Sequence, residues 1–189
     1  MGQELKVLSH NPQHTWQIGF WLGDLLKGGD IVCLSGELGA GKTALARGIG
    51  AGWGALEGVN SPTFVFVHEH RRARDSLRLY HLDCYRLASE GDALSIGLED
   101  ILASSDVTVI EWPERILSFL PDEHLWIGLE QVEVADQRLL TFRAIGTRYL
   151  TLLEELHRNI ESGAESVGTG KMNAESRIPL ADDGERSDL

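Results

Sequence analysis

Hydrophobic positions follow two periods along the chain, and the two periods alternate. Between residues 12 and 26, apolar side chains recur every three or four positions, which predicts an amphipathic helix ending before Gly28. Short continuous apolar runs at residues 31–35 and 107–110 are typical of strands buried in a parallel sheet. The other predicted elements are strand 4–8, helix 42–49, an antiparallel hairpin of strands 64–70 and 77–82, a second antiparallel pair at 125–132 and 138–144, and helix 147–159. This order predicts an α/β sandwich with a mixed, mainly parallel central sheet.

Composition changes after residue 160, and the change sets the predicted domain boundary. Residues 161–189 contain no aromatic side chain and carry seven acidic residues against three basic ones. Such a segment buries too little apolar surface to offset the entropy of ordering its chain. We therefore expect a folded domain over residues 1–160 and an acidic, disordered tail over residues 161–189. A docking role for residues 177–180 of this tail stays open.

The overall composition restricts the class of protein. Of 189 residues, 42% are hydrophobic and 24% are charged, as in soluble globular proteins. No apolar run approaches the ~20 residues that span a bilayer, and no secretory signal is present, so we expect a cytoplasmic protein without membrane contact. Cys33 and Cys84 are too few for a disulfide scaffold or a zinc ribbon. The net charge of −12 disfavours autonomous RNA binding, so a partner is expected to hold any RNA.

A glycine-rich segment carries the main chemical signal. Residues 36–43, GELGAGKT, match the P-loop pattern G-x-x-x-x-G-K-[ST] between a predicted buried strand and a predicted helix, the context that the pattern requires. The glycines let the backbone approach phosphate oxygens, and N–H groups at the start of the helix attract anions. Lys42 is expected to reach the β- and γ-phosphates, and the Thr43 hydroxyl to bind Mg²⁺. The motif predicts a nucleotide site in a P-loop NTPase-like three-layer sandwich.

Two acidic residues end predicted strands, at the sheet edge where α/β proteins bind ligands. Glu111 follows the apolar run VTVI, and Asp83 follows LYHL. One is expected to bind or steer Mg²⁺ and the other to orient the attacking water, and the sequence leaves their order open. The alternative for each is an ordinary strand-end or turn acid. Trp112, directly after Glu111, is interpreted as a packing residue.

Three weaker signals leave alternatives open. Thr63, in the segment SPTF before the first hairpin, fits a switch-like loop or a simple turn. His81 is either catalytic or, as is commoner in strands, a histidine satisfied by hydrogen bonds. Arg71, Arg72 and Arg74 at the hairpin tip fit a solvated loop better than a contact with RNA or a partner.

The order of short motifs along the chain carries a family resemblance. GELGAGKT, SPTF, HLDCYRL, GLED and EWPE occur in this order. In this combination, over residues 11–147, the chain resembles the TsaE family of bacterial P-loop ATPases, which work in the threonylcarbamoyladenosine modification of tRNA. The acidic tail and the arginine-rich hairpin tip depart from the family pattern.

The resemblance implies a set of site residues. Nucleotide binding is implied for Gly36, Gly39, Ala40, Gly41, Lys42, Thr43, Ala44, Thr63, Asp83 and Arg138. Coordination of Mg²⁺ is implied for Thr43 and Glu111, and a catalytic role for Glu111, Asp83 and Lys42.

The resemblance also implies an activity and partners. Members of the family resemble motors or resetting factors that bind the TsaB–TsaD complex and hydrolyse ATP with Mg²⁺, without performing the carbamoyl transfer themselves. We therefore expect an ATPase that is slow alone, is stimulated by this complex and meets tRNA only through it. Two other classes stay open. A small P-loop kinase of a metabolite needs a lid arginine and an acceptor pocket, neither of which the sequence reveals. A nucleotide-gated binding module without turnover tolerates the loss of Glu111.

Overall fold

The computed structural model describes residues 4–59, 66–87 and 89–169. The elements are β1 (Glu4–Ser9), α1 (Pro12–Leu25), β2 (Ile31–Ser35), α2 (Lys42–Trp53), β3 (Val67–Arg71), β4 (Arg78–Asp83), α3 (Glu90–Ser95), α4 (Leu98–Leu102), β5 (Val107–Glu111), β6 (His124–Gln131), β7 (Arg138–Ile145) and α5 (Thr147–Thr169). Short 3₁₀ turns at Pro113–Arg115 and Leu117–Phe119 connect β5 to β6. Within these residues, no helix is both long and apolar enough to cross a membrane.

One sheet organises the described residues, with strand order β1-β7-β6-β2-β5-β4-β3. The middle strands β6, β2, β5 and β4 run parallel, whereas β3 and the β7–β1 pair run antiparallel to their neighbours. The predicted mixed α/β sheet is therefore confirmed. Because the middle strands are parallel, their carboxyl ends share one edge of the sheet. There Asp83 lies opposite Glu111, and Leu34 pairs with Glu111 from the other side.

Helices cover both faces of the sheet and give the expected three layers. Buried side chains of α1, α2 and α5 form one core with β2, β5, β6 and β7, centred on Ile18, Leu45, Val109 and Phe142. On the other face, α3, α4 and the 3₁₀ turns cover a smaller core that includes Cys33. Cys33, inside β2, is fully buried in this core.

Glycines bring α1 and α2 into backbone contact. A Cβ atom on Gly48 would overlap the Trp16 carbonyl group, and one on Gly52 would overlap the Phe20 carbonyl group. In the other direction, a Cβ on Gly23 would overlap the Ile49 carbonyl oxygen. The two helices therefore pack more closely than any side chain at these positions would allow. This contact fixes α2, whose first residue is Lys42.

Polar contacts fasten α5 to the edge of the core. Arg148 donates from Nε to Asp30 Oδ1 at 2.9 Å and from Nη2 to Oδ2 at 2.6 Å. The hydroxyl of Tyr149 accepts the Ile31 N–H at 2.7 Å. Helix α5 continues to Thr169, beyond its predicted end at residue 159, and Gly163 lies against the ring of Trp21. The rest of the predicted tail, residues 170–189, lies outside the described residues.

Replacing Arg148 with methionine is expected to lower the free energy of unfolding by about 2 kcal/mol, because it leaves the buried Asp30 carboxylate without its charged partner. Urea denaturation measures the loss. The matched control is Arg158→Met on the same helix, where the exposed guanidinium contacts only the Glu154 carbonyl group, and where we expect less than about 0.5 kcal/mol. Equal losses in the two variants would show that the Asp30 contact is not what fastens α5.

One arginine of the hairpin tip has a structural role that the sequence did not predict. Arg72 is 7% exposed, donates to both oxygens of Asp75 at 2.8 and 2.7 Å, and lies over the Trp53 ring at 4.4 Å. The solvated-loop interpretation is therefore wrong for Arg72, which ties the hairpin to the end of α2. Arg71 and Arg74 are exposed, as expected.

Candidate nucleotide-binding site

The loop between β2 and α2 has a backbone that its glycines make possible. Gly36, Gly39 and Gly41 have φ values of 146°, 79° and 104°, a region that L side chains rarely adopt. A Cβ on Gly36 would also overlap the carbonyl oxygen of Leu129 on β6. Helix α2 begins directly after Gly41, so its first N–H groups, which have no partner within the helix, lie at the loop. A helix N-terminus of this kind attracts phosphate oxygens.

Lys42 lies buried against the loop. Its Nζ donates to the carbonyl oxygens of Gly36 at 2.6 Å and Glu37 at 2.9 Å, and lies 3.8 Å from the centre of the Trp112 ring. Burial lowers the pKa of the ammonium group, and the nearby carboxylates, of which Glu111 has the largest effect, oppose that shift. The charge of Lys42 is therefore held at the loop by weak acceptors that a phosphate group can replace.

The predicted carboxylate lies next to the predicted metal-binding hydroxyl. Thr43 Oγ1 is 3.2 Å from Glu111 Oε2 and 3.4 Å from Oε1, although the residues are 68 positions apart in the chain. Glu111 is only 3% exposed. Its Oε1 also accepts a hydrogen bond from His81 Nε2 at 2.9 Å. The end of β5 and the start of α2 therefore meet in one polar cluster.

A cavity of about 410 Å³ joins these groups. Its lining includes Lys42, Thr43, Asp83, Glu111 and Trp112. Asp83 ends β4 beside Glu111, and its Oδ1 accepts the N–H of Tyr85 at 3.0 Å. The structure thus brings the loop lysine, the hydroxyl and both strand-end acids to one space. The size and the polar groups suit the phosphate end of a nucleotide.

The donor set fits a magnesium ion that is shared with a nucleotide. Mg²⁺ is usually bound by one or two protein oxygens, with waters and substrate phosphates completing the shell. Thr43 and Glu111 offer a hydroxyl and a carboxylate side by side. No cluster of three or more His, Cys, Asp or Glu side chains able to hold a metal occurs in the described parts of the chain. The residues therefore suit a metal that arrives with phosphate better than a metal held by protein alone.

The remaining predicted residues fall into three groups. Ala40 and Ala44 lie in the loop and in the first turn of α2. Arg138, at the start of β7, donates from Nε to the Ala40 carbonyl oxygen at 3.1 Å, so in this structure it supports the loop backbone. Thr63 falls within residues 60–65 and lies outside the described residues.

Three contacts at the site have no counterpart in the sequence reasoning. The Trp112 ring covers Lys42 and lies 4.9 Å from the Tyr85 ring, with the backbone of Trp112 at a φ of 61°. Glu114, two positions further on, accepts a hydrogen bond from Ser35, the last residue of β2. The signal available in the sequence was the position of the segment EWPE directly after a buried strand.

A glycine loop that joins a central parallel strand to a helix, with strand-end acids beside it, defines the P-loop NTPase-like class of three-layer α/β proteins. Comparison with known proteins places the chain within that class. Residues 9–140 match the family model described as "Threonylcarbamoyl adenosine biosynthesis protein TsaE". The chain belongs to the TsaE family, whose role is in the biosynthesis of threonylcarbamoyladenosine in tRNA.

Individual relatives agree over most of their length. The chain is 38% identical over 157 residues to the tRNA threonylcarbamoyladenosine biosynthesis protein TsaE of Bacillus subtilis, which covers 83% of this chain and 96% of that one. It is 39% identical over 138 residues to the TsaE protein of Streptomyces coelicolor, covering 71% and 93%. The crystal structure of Bacillus subtilis YdiB superposes with a TM-score of 0.70 at 34% identity, covering 85% and 98%. The resemblance inferred from the motif order is confirmed.

Proposed function

We propose that this TsaE-family chain binds and hydrolyses ATP with Mg²⁺, and that it acts on the TsaB–TsaD complex to support repeated rounds of tRNA modification. The observation that carries the proposal is the convergence of Lys42, Thr43, Asp83 and Glu111 on one cavity at the P-loop. Each of these side chains has a separate task in phosphoryl transfer to water. The proposed location is the cytoplasm, where tRNA is modified.

The proposed tasks follow from position and chemistry. Lys42 exchanges its two carbonyl acceptors for the β- and γ-phosphate oxygens. Thr43 and Glu111 would hold Mg²⁺, and the bound ion would neutralise charge on the phosphates. Asp83, the second acid in the cavity, orients the attacking water near the γ-phosphate. Arg138 supports the loop through its contact with the Ala40 carbonyl oxygen, and a direct contact with the nucleotide is its proposed second role.

The charge of the chain supports an indirect relation to tRNA. With 29 acidic residues against 17 basic ones, the protein repels a polyanion at long range. At the hairpin tip Arg72 forms an ion pair with Asp75, and Arg71 forms one with Glu69. We therefore propose that the partner complex holds the tRNA and that this subunit supplies the nucleotide cycle.

The test is release of phosphate from ATP, first with the purified protein alone and then with TsaB and TsaD added. We expect slow release alone and clear stimulation by the pair. Lys42→Ala should abolish both, because it removes the charge that neutralises the phosphates. The matched control is Lys27→Ala, an exposed lysine outside the cavity, which should behave as wild type.

Other outcomes would identify the alternative classes. Absence of stimulation under conditions where the three proteins form a complex would contradict the motor proposal and leave a nucleotide-gated binding module. Transfer of the γ-phosphate to an added metabolite instead of water would indicate a small P-loop kinase.

A further inference from the structure

His81, which lies behind Glu111 and does not line the cavity, makes the shortest side-chain contact to Glu111. His81 lies in the middle of β4 and is completely buried. The register of β4 with β5 pairs Asp83 with Glu111 and His81 with Val109. Because alternate residues share a face of a sheet, His81 lies on the same face as Asp83 and Glu111. It is the diagonal neighbour of Glu111, since its own partner Val109 precedes Glu111 by two residues. From there its Nε2 reaches Glu111 Oε1 at 2.9 Å.

The hydrogen-bonding roles in this contact follow from chemistry. An ionised carboxylate only accepts hydrogen bonds, so Nε2 of His81 carries the proton and donates it. The other ring nitrogen, Nδ1, is buried and has no partner among the described residues. Thr43 Oγ1 contacts the same carboxylate, at 3.2 Å from Oε2 and 3.4 Å from Oε1. Glu111 is thus held between the hairpin and the first turn of α2.

A histidine at this fully buried position destabilises the fold, so we expect its contact with Glu111 to have a function. A buried polar atom without a hydrogen-bond partner destabilises a fold, and His81 Nδ1 is such an atom. Leu79, two residues earlier on the same strand and face, shows that an apolar side chain fits the surrounding core. The His81 imidazole therefore lowers the stability of the fold through its unpaired Nδ1, and its one hydrogen bond goes from Nε2 to the Glu111 carboxylate.

We propose that His81 is a positioning residue that fixes the Glu111 carboxylate by holding Oε1, so that the carboxylate stays beside Thr43 and the cavity. This inference rests on the proposed function, because it assigns the purpose of the fixed carboxylate to metal and water. His81 is not itself catalytic, since it does not line the cavity and touches it only through Glu111. Removing the donor frees the side chain of Glu111 to adopt other rotamers.

The first test compares two substitutions at His81 with one at His70. His81→Leu removes the donor, whereas His81→Gln replaces it with an amide N–H. We expect His81→Leu to raise the Mg²⁺ concentration that half-saturates ATP binding, and to lower kcat, each by roughly 10–100-fold, as for other residues that orient a metal ligand. Affinity for ATP without Mg²⁺ should stay unchanged, and His81→Gln should restore most of both losses.

The matched control is His70→Leu. His70 lies on β3 in the same hairpin, is 8% exposed, and also has a ring nitrogen without a partner among the described residues, but it makes no contact with Glu111. We expect normal Mg²⁺ dependence and normal kcat in this variant. Equal defects in His70→Leu and His81→Leu would overturn the proposal, because a general disturbance of the hairpin would then explain both.

A second test needs no nucleotide. Urea unfolding of the nucleotide-free protein is measured for His81→Leu, for Glu111→Ala, which removes the acceptor of the His81 hydrogen bond, and for the double variant. If the two side chains act as a pair, the shift of the midpoint in the double variant differs from the sum of the single shifts. Additive shifts would overturn the proposal even if ATP hydrolysis is confirmed. Non-additive shifts in a protein that fails to hydrolyse ATP would overturn the proposed function and leave the pairing intact.

Discussion

Glu111→Gln is expected to reduce ATP hydrolysis by more than roughly 100-fold, because it alters a proposed direct ligand of Mg²⁺, and residues that merely orient such ligands already contribute about 10–100-fold. Glutamine keeps the shape of the side chain and its capacity to contact His81 and Thr43, but it lacks the negative charge that strengthens the binding of Mg²⁺. ATP binding should persist, because Lys42 and the loop backbone supply most of the phosphate contacts. The variant should therefore bind ATP and retain it.

The measurement is a single-turnover assay with excess protein, paired with a direct binding assay on the same preparation. Glu130→Gln is the matched control, since Glu130 also lies near the carboxyl end of a parallel strand, β6, but is exposed and outside the cavity of about 410 Å³. Hydrolysis at the wild-type rate in Glu111→Gln would show that Glu111 is an ordinary strand-end acid, and would leave Asp83 as the one strand-end acid with a proposed catalytic role. Loss of binding together with hydrolysis would indicate damage to the loop.

Gly48→Ala is expected to lower the free energy of unfolding by about 3 kcal/mol, near the upper end for overpacked cores. Alanine is the better helix former by about 1 kcal/mol, so helix propensity alone predicts stabilisation. The contact with α1 reverses this sign, because the new methyl group would meet the backbone of Trp16 and lie 3.1 Å from the Gly19 Cα. The atoms that the new methyl group would meet belong to the backbone of α1, so no change of side-chain rotamer can relieve the overlap.

Gly91→Ala is the matched control for that variant. Gly91 is also helical, in α3, and a Cβ there would meet only the Ser89 hydroxyl at 3.6 Å. We expect this control to be neutral or stabilised by up to about 1 kcal/mol. Thermal or urea unfolding of both variants decides the question. If Gly48→Ala also gained stability, the close approach of α1 and α2 would have no energetic significance.

Much of the fold could be predicted because its signals are local. The apolar run of β2 and the helical period of α1 each lie within one window of sequence, and the predicted bounds match to within one residue. Asn11, which caps α1 by accepting the His14 N–H, and Pro12 after it are typical start signals. These features need no knowledge of distant contacts.

The errors occur where tertiary contacts override local preference. Helix α2 extends to Trp53, four residues past its predicted end, because Gly48 and Gly52 weaken its propensity but are required by the contact with α1. Helices α3 and α4 were not predicted, since elements of five or six residues show less than two turns of hydrophobic period. Arg72 looked solvated because its partners, Trp53 and Asp75, are visible only once the hairpin is folded.

The candidate site also contains residues that the sequence identifies and contacts that only the folded structure reveals. The loop residues and Lys42 form a contiguous motif, so sequence identifies them directly. The two strand-end acids follow from the rule that parallel strands share an edge. The contact between His81 and Glu111 depends on the register of β4 against β5, which sequence does not reveal. The same holds for the contact of Arg138 with the Ala40 carbonyl group, which joins β7 to the loop.

The topology also has a consequence for biosynthesis. Within the described residues, strand β2, which carries the loop, pairs with β5 and β6, so its first ladder partner is complete only after the ribosome has passed Glu111 and its second only after Gln131. At about 5–20 residues per second, the strand waits on the order of ten seconds after its own synthesis. During this interval an apolar segment is exposed on a nascent chain and is a natural target for chaperones. The loop after β2 therefore meets both strand-end acids only once residue 111 has been synthesised.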